Sequence, residues 1–376
     1  MNSQMNPLTL TRNLLAFNTT NPPGLEKRCA EYIGTLLEQG GFEIDYYDLA
    51  TERTNLIARL RGGSDIHPLC FSGHIDTIPV GASAWSKDPF NGETEGDKIY
   101  GRGSTDMKGG VAAMVIACLR LAELSKGKAG LTLIITASEE NGCRGAHYLA
   151  QHGTILGTAG ALIVGEPTSN YPLVGHKGAI FLEAETYGTA AHGSMPEQGV
   201  NAIYKAAHAV RKLETYDFHF PAHPLFGSPT LNVGTIAGGG AINVVPDQAS
   251  IGIDIRTVPG QSNGEVMADI ESYLGTDIEL TCLTDAGAVF TDPEHEWIQH
   301  VYDIMKSFLS ERPVPRGASY FTDASALTPV MGNPPTIILG PGEPEMAHKT
   351  DEFCYISKIE EAAEAYIEIG RMWSGL

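Results

Sequence analysis

LTLIITASEENG, residues 131–142, decides how this chain folds. Leu131–Ala137 is an almost unbroken apolar run of strand length, and it stops on two adjacent carboxylates, Glu139 and Glu140. A run of that kind with no alternation reads as a strand buried on both faces, the signature of a parallel sheet. Working outward, Leu69–Ser72 in LCFSGHID (69–76) is a second such strand, followed by His74 and Asp76. Ala161–Val164 in ALIVGEP (161–167) is a third, followed by Glu166. Asp106–Leu124 is helical behind the glycines of GRGSTDMKGG (101–110), and Asn141–Gln151 is helical again. Strand–helix alternation predicts an α/β layer structure around a largely parallel sheet. The C-terminal ends of strands in such a sheet face the ligand crevice. Three of the acid- or histidine-bearing stretches follow strands directly, and the Asp106 loop lies in the same lobe, so these side chains converge.

The flanks extend the pattern. Leu8–Phe17 and Leu25–Gln39 read as helices, and Phe42–Tyr47 and Thr54–Arg59 as strands. The texture changes near Gly175: strands at Ala179–Tyr187, Thr230–Ile236, Gln248–Arg256 and Asp277–Leu283 alternate with helices at Asn201–Leu213 and Gly264–Leu274. That is a compact α+β unit of its own. The α/β pattern resumes with a helix at Trp297–Leu309, a strand at Thr336–Leu339 and a helix at Ser357–Met372. With 376 residues, more than one hydrophobic core normally holds, the expected organisation is a catalytic domain of residues 1–175 and 290–376. Residues 176–289 form an inserted lid or dimerisation domain.

A formal charge of −20 excludes a nucleic-acid or anionic-membrane binder, which would need a positive field. The six scattered cysteines form no C-x-x-C pair, so reduced thiols in a cytoplasm are expected. The opening MNSQMNPLTLTRNLLAF lacks the pattern of a secretory leader, and no segment approaches a membrane span.

A buried group of acids with nothing to neutralise it would be very costly, and cations resolve the cost. Histidine with Asp and Glu suits zinc, and also cobalt or manganese. Two divalent ions would offset Asp106, Glu140, Glu166 and one hydroxide. Two-metal hydrolytic sites of this kind activate a water and polarise a scissile carbonyl. Glu139 is then free to act as general base. Asp76 is placed to accept a hydrogen bond from the second nitrogen of His74. Each residue also has a plainer reading: Asp106 as a helix N-cap, Glu139 and Glu140 as a solvated first-turn pair.

Together these motifs resemble the co-catalytic zinc metallopeptidase and deacylase family that contains carboxypeptidase G, aminoacylase, acetylornithine deacetylase and succinyl-diaminopimelate desuccinylase. The resemblance rests on His74-Ile-Asp76, Gly103-Ser-Thr-Asp106-Met-Lys-Gly109, Glu139-Glu140, Gly165-Glu166-Pro167 and the late His348, and it spans essentially the whole chain. It implies a zinc exopeptidase fold of the phosphorylase/hydrolase type and two Zn2+ per chain, with Co2+ or Mn2+ as substitutes. His74 and Glu166 would hold one ion, Glu140 and His348 the other, with Asp106 bridging and a cis peptide after it. It further implies that His192 stabilises an oxyanion across a homodimer formed through the inserted domain. Asn243 and Arg256 would bind the substrate carboxylate, and the Gly340-Pro-Gly342 turn would bind an anion.

The implied activity is hydrolysis of the amide bond of a small-molecule N-acyl amino acid, of the acetylornithine deacetylase or succinyl-diaminopimelate desuccinylase type. A dipeptidase or glutamate-type carboxypeptidase is the alternative within the family, and an inactive binding homologue the alternative outside it. Where desuccinylases carry arginine-rich and Gly-Gly-Thr-Ser-Asp-Gly-type segments, this chain has His176-Lys177-Gly178 and Tyr320-Phe-Thr322-Asp-Ala-Ser325. Lys177 and Thr322 are therefore candidate substrate contacts.

Overall fold

The computed structural model describes residues 5–63, 65–124 and 129–375. In chain order its main elements are α1 (Pro7–Leu15), α2 (Lys27–Gln39), β1 (Glu43–Ala50), β2 (Arg53–Leu60), β3 (Leu69–His74), β4 (Lys98–Tyr100), α3 (Gly109–Leu124), β5 (Leu131–Thr136), α4 (Arg144–Gln151) and β6 (Ala161–Val164). They continue with β7 (Ala179–Tyr187), α5 (Ala202–Leu213), β8 (Thr230–Gly238), β9 (Gln248–Arg256), α6 (Asn263–Leu274) and β10 (Ile278–Ala286). The chain closes with α7 (Glu296–Leu309), α8 (Ala324–Val330), β11 (Thr336–Ile338), β12 (Phe353–Tyr355) and α9 (Ile356–Ser374). The chain divides into two compact units: Met1–Gly175 with Phe290–Arg316 and Thr322–Leu376, and His176–Val289 with Gly317–Phe321. Gly317–Phe321 thus groups with the second unit, whereas its place in sequence assigned it to the first.

The first unit is organised by a six-stranded sheet in the order β1-β2-β5-β3-β6-β11. β5, β3, β6 and β11 run parallel to one another, while β1 and β2 pair antiparallel as a hairpin against β5. The sheet is therefore mixed and dominated by parallel strands. Every residue of β3, β5, β6 and β11 is buried, as expected of strands covered on both faces. β1, at the edge, has no buried residue, and it begins one residue later than the sequence pattern predicts and runs three further. α3 is buried all round from Gly109 to Leu119, and twelve of its sixteen residues are buried in all; it packs against α1 and α9. Three elements went unanticipated: α8, which carries Pro329 internally, and the strands β4 and β12, which pair antiparallel with each other.

Strand register determines where the chemistry lies. His74 pairs with Thr136, three residues before Glu139, and Ser72 pairs with Val164, two residues before Glu166. Three separate stretches thus leave the sheet at one end within a few residues of each other. Gly110 makes this approach possible: a Cβ there would lie 2.2 Å from the Gly165 carbonyl oxygen.

The second unit is a four-stranded antiparallel sheet in the order β8-β9-β7-β10. β9 alternates buried and half-buried positions with period two, so one face is apolar. Ile180, Leu182, Ile251, Ile253 and Ile255 of that face pack with Ala206, Ala209 and Leu213 of α5 and Val266, Ile270 and Leu274 of α6. Both helices carry side-chain N-caps, Asn201 and Ser262. No helix among the described residues is long and apolar enough to cross a membrane.

Candidate metal centre

His74 ends β3 with its ring buried. Its Nδ1 lies 3.0 Å from the Asp76 carbonyl oxygen. A carbonyl only accepts, so Nδ1 carries a proton in either charge state, and Nε2 is the nitrogen that would present a lone pair to a metal ion. Nε2 is 3.1 Å from Asp106 Oδ1 and 3.7 Å from Glu166 Oε1. The other oxygen of Asp106 is 3.4 Å from His348 Nε2, which is 3.0 Å from Glu140 Oε2. Asp106 therefore stands between two groups, His74–Glu166 and His348–Glu140, with one oxygen toward each.

The Asp106 segment is not a helix start. Asp106 (φ −123°, ψ 93°) and Met107 are non-helical, the peptide between them is cis, and α3 begins only at Gly109. The plain N-cap reading of Asp106 fails on this geometry. Its loop is held by Glu352, which sequence reasoning missed. One Glu352 oxygen accepts from Arg102 Nη1 at 2.6 Å and the Gly103 amide at 3.0 Å. The other accepts from the Thr105 amide at 2.9 Å and the Asp106 amide at 3.1 Å. The available signal was the acid in Asp351-Glu352, four residues after His348 and just before the short apolar strand β12.

Asp76 faces the His74 imidazole, as its spacing predicts, but bonds other groups more closely. Its carboxylate is 3.5 Å from His74 Nδ1, farther than its own carbonyl, and its strong bonds go elsewhere. Oδ1 accepts from the Glu139 amide at 2.9 Å, and Oδ2 from the Glu140 amide at 3.3 Å and Asn21 Nδ2 at 2.9 Å. Ser138, in the left-handed region at φ 63°, turns the chain off β5 so that these two amides face Asp76. Glu139 is buried and accepts no hydrogen bond from His74 or His348 among the described residues.

The electrostatics are those of a cation site. Burial pushes Glu139 and Glu166 well above the usual carboxylate range, and Glu140 upward as well. Burial also opposes charge on His74, yet Glu166, Asp106 and Asp76 hold it well above its ordinary value. Hydrogen bonds to Asp106 and Glu140 push His348 up to about 10. Burial raises Asp106, but the bonds to His348 and His74 outweigh it and leave it below the ordinary range. Protons on the imidazoles thus offset charge that metal ions would offset. The spacing also fits: donors about 2.0–2.1 Å from a tetrahedral zinc ion lie about 3.3–3.4 Å apart, against the 3.0–3.7 Å found here.

Thr322 is buried, and its hydroxyl accepts from the Ala324 amide at the start of α8. Gly340 is buried too, and its amide is donated to Thr168 Oγ1 at 3.1 Å. That amide is not available to an anion, and a Cβ at Gly340 would sit 2.2 Å from the Gly165 carbonyl. The residue packs beneath Glu166 instead. His192, Asn243, Lys177 and Arg256 belong to the second unit. There Arg256 pairs with Asp254 through two bonds of 2.8 and 3.1 Å and lies over the rings of Phe181 and Phe321. Lys177 Nζ donates to the Ser228 carbonyl. The Ser194 amide donates to His192 Nδ1 at 3.2 Å, and Asn243 accepts from the Gly193 amide through its carbonyl.

The sequence profile of Peptidase family M20/M25/M40 matches residues 70–371, a span that carries every residue of this centre. The chain belongs to that family. Among M20 relatives, the probable succinyl-diaminopimelate desuccinylase of Staphylococcus epidermidis is 30% identical over 411 residues, covering 97% of this chain and 99% of that protein. The acetylornithine deacetylase of Photorhabdus laumondii is 32% identical over 343 residues, covering 87% and 85%. An M20 family metallo-carboxypeptidase from Sulfolobus solfataricus superimposes with a TM-score of 0.84 at 19% identity, over 99% of this chain and all of the other. The family-level resemblance read from the motifs is thereby confirmed. The mixed, mainly parallel sheet is that of the M20 fold, and the protein is a hydrolase of that family.

Proposed function

We propose that this M20 hydrolase is a two-metal amidohydrolase that removes the acyl group from an N-acyl amino acid. The observation that carries the reading is Asp106, with one oxygen toward His74 and Glu166 and the other toward His348 and Glu140. The relatives named as a deacetylase and a desuccinylase direct the choice of substrate class. Two Zn2+, with Co2+ or Mn2+ as substitutes, would be held by these five residues; when bound they supply an activated water and a polarised carbonyl. Glu139 takes the proton from the attacking water and returns it to the leaving amine. Asp76 keeps the Glu139–Glu140 turn fixed through its two amide bonds.

The second unit supplies recognition in this reading. Arg256, backed by Asp254 and flanked by aromatic faces, suits a planar carboxylate. Asn243 and Lys177 are the other residues of that unit assigned to the substrate in this reading. With Nδ1 of His192 accepting from Ser194, the Nε2–H is left to donate to an oxyanion, and a homodimer through residues 176–289 is the arrangement in which His192 would act.

The test is Glu139→Ala assayed on N-acetyl, N-succinyl and dipeptide substrates with metal content measured alongside. The expected outcome is metal content near two per chain with turnover reduced by roughly 100- to 10,000-fold. Retained turnover removes Glu139 from its role, and a preference for dipeptides moves the protein to the peptidase branch of the family.

A further inference from the structure

Behind Glu139 lies a second donor group that the mechanism does not use. Glu139, Cys143 and Asp323 each place a donor atom within 4.8 Å of the other two. All three are buried, with exposures of 7%, 0% and 1%. The chain builds the group by tight local turns. The Cys143 amide bonds the Glu139 carbonyl at 2.8 Å, and Cys143 itself is left-handed at φ 54°, just before α4. Asp323 immediately precedes α8 yet makes no cap bond with it. Its Oδ2 accepts instead from Thr136 Oγ1, and Oδ1 is buried with no hydrogen-bond partner among the described residues.

We propose that Glu139, Cys143 and Asp323 form a third, inhibitory binding site for a thiophilic divalent cation such as Zn2+ or Cd2+. Cys143 Sγ lies 3.5 Å from Glu139 Oε1. With Zn–S of about 2.3 Å and Zn–O of about 2.1 Å, tetrahedral coordination spaces S and O about 3.6 Å apart. The single Cys143 S–H proton faces both the Glu139 and the Asp323 carboxylates and can be donated to only one of them at a time; a cation satisfies all three groups at once. Thiolate in the ligand set selects zinc and softer ions over magnesium, calcium or manganese. Binding requires Cys143 to release its S–H proton to solvent, so the site strengthens as pH rises. An ion held there occupies the carboxylate that would otherwise take the proton from water. This inhibitory consequence rests on the reading of Glu139 as the base, whereas the site itself does not.

The test is titration of the two-metal protein with Cd2+, following the ultraviolet thiolate-to-cadmium charge-transfer band together with equilibrium dialysis. The catalytic ligands are nitrogen and oxygen only, so exchange of Cd2+ into that pair produces no such band. One further equivalent is expected with the band and with loss of turnover. Cys282 is the exposed cysteine, and Cys282→Ala should leave the result unchanged. Cys143→Ala, its fold verified by circular dichroism and two-metal content, should lose the band. Asp323→Asn keeps the thiol and should weaken the third equivalent by at least about tenfold. A wild-type protein without the band overturns the site, as does a band unaltered in Cys143→Ala or Asp323→Asn. A Cys143-dependent band without inhibition upholds the site and overturns its inhibitory role along with the assignment of Glu139 as base.

Discussion

Glu352 offers a sharp test of how this fold holds a metal ligand. It touches no proposed ion, yet its two oxygens accept four hydrogen bonds from the segment that ends at Asp106. Its ion pair with Arg102 at 2.6 Å is almost solvent-free, with side-chain exposures of 3% and 1%. Glu352→Ala leaves a buried guanidinium without its anion, which typically costs about 3–5 kcal/mol. Three backbone amides are orphaned at about 1–3 kcal/mol each, although entering water recovers part of that and the losses do not add. Arg102 retains the Pro79 carbonyl at 3.3 Å and the face of Trp85, so the lower end of a sum, about 4–6 kcal/mol, is the expected loss. At about 2–4 °C per kcal/mol for a unit of this size, the melting temperature should fall by roughly 10 °C or more. Glu352→Gln keeps the shape, but its amide nitrogen must face donors at one of the two oxygen positions, so the loss should be intermediate. Because the same bonds place Asp106, metal affinity should fall by about 10–100-fold in the alanine variant. Thermal unfolding and equilibrium dialysis of the two variants measure both effects. A Glu352→Ala protein melting within about 2 °C of wild type with unchanged affinity would falsify the account.

Three further outcomes follow from the same geometry. Asp76→Ala should lower metal affinity by about 10–100-fold because the Glu139 and Glu140 amides lose their shared acceptor; unchanged affinity in dialysis would show that Ser138 holds that turn unaided. Gly110→Ala places a methyl 2.2 Å from the Gly165 carbonyl, so it should displace Glu166 and reduce metal occupancy, and two full equivalents bound would contradict the packing argument. In the metal-free protein His348 is held up to about 10 by Asp106 and Glu140. A raised histidine contributes stability that is complete below its ordinary value near 6.5 and is lost as pH rises through about 10. Metal binding at pH 7 must therefore expel that proton; calorimetry in two buffers of different ionisation heat should show the release, and equal heats would refute it.

The ligand-bearing strands were legible because strands covered on both faces must be apolar throughout, and parallel strands put their ends on one side. Leu131–Thr136 and Ala161–Val164 read correctly for that reason, and the acids that follow them leave the sheet at one end. The helix at Ala324–Val330 was not legible: it is short, holds Pro329, and has no polar face to give it a period. β12 was hidden because its partner β4 lies some 250 residues earlier.

The role of Asp76 shows the boundary most clearly. Spacing two residues after His74 placed it near the imidazole, but whether its carbonyl or its carboxylate lay closer to the ring depended on the amides of Glu139 and Glu140, in the turn after a neighbouring strand. Gly340 likewise read as an open turn until Thr168 was found to hold its amide. By itself the sequence determined the parallel strands of the main sheet, the family and which acids and histidines are candidates for the centre, since these follow from residue type, local periodicity and short motifs. Only the tertiary structure decided which oxygen of Asp106 faces which histidine, that Glu352 secures the loop, and that Glu139 has Cys143 and Asp323 behind it. Those contacts join residues from 4 to 250 positions apart, and chain folding rather than local preference brings them within a hydrogen bond's reach.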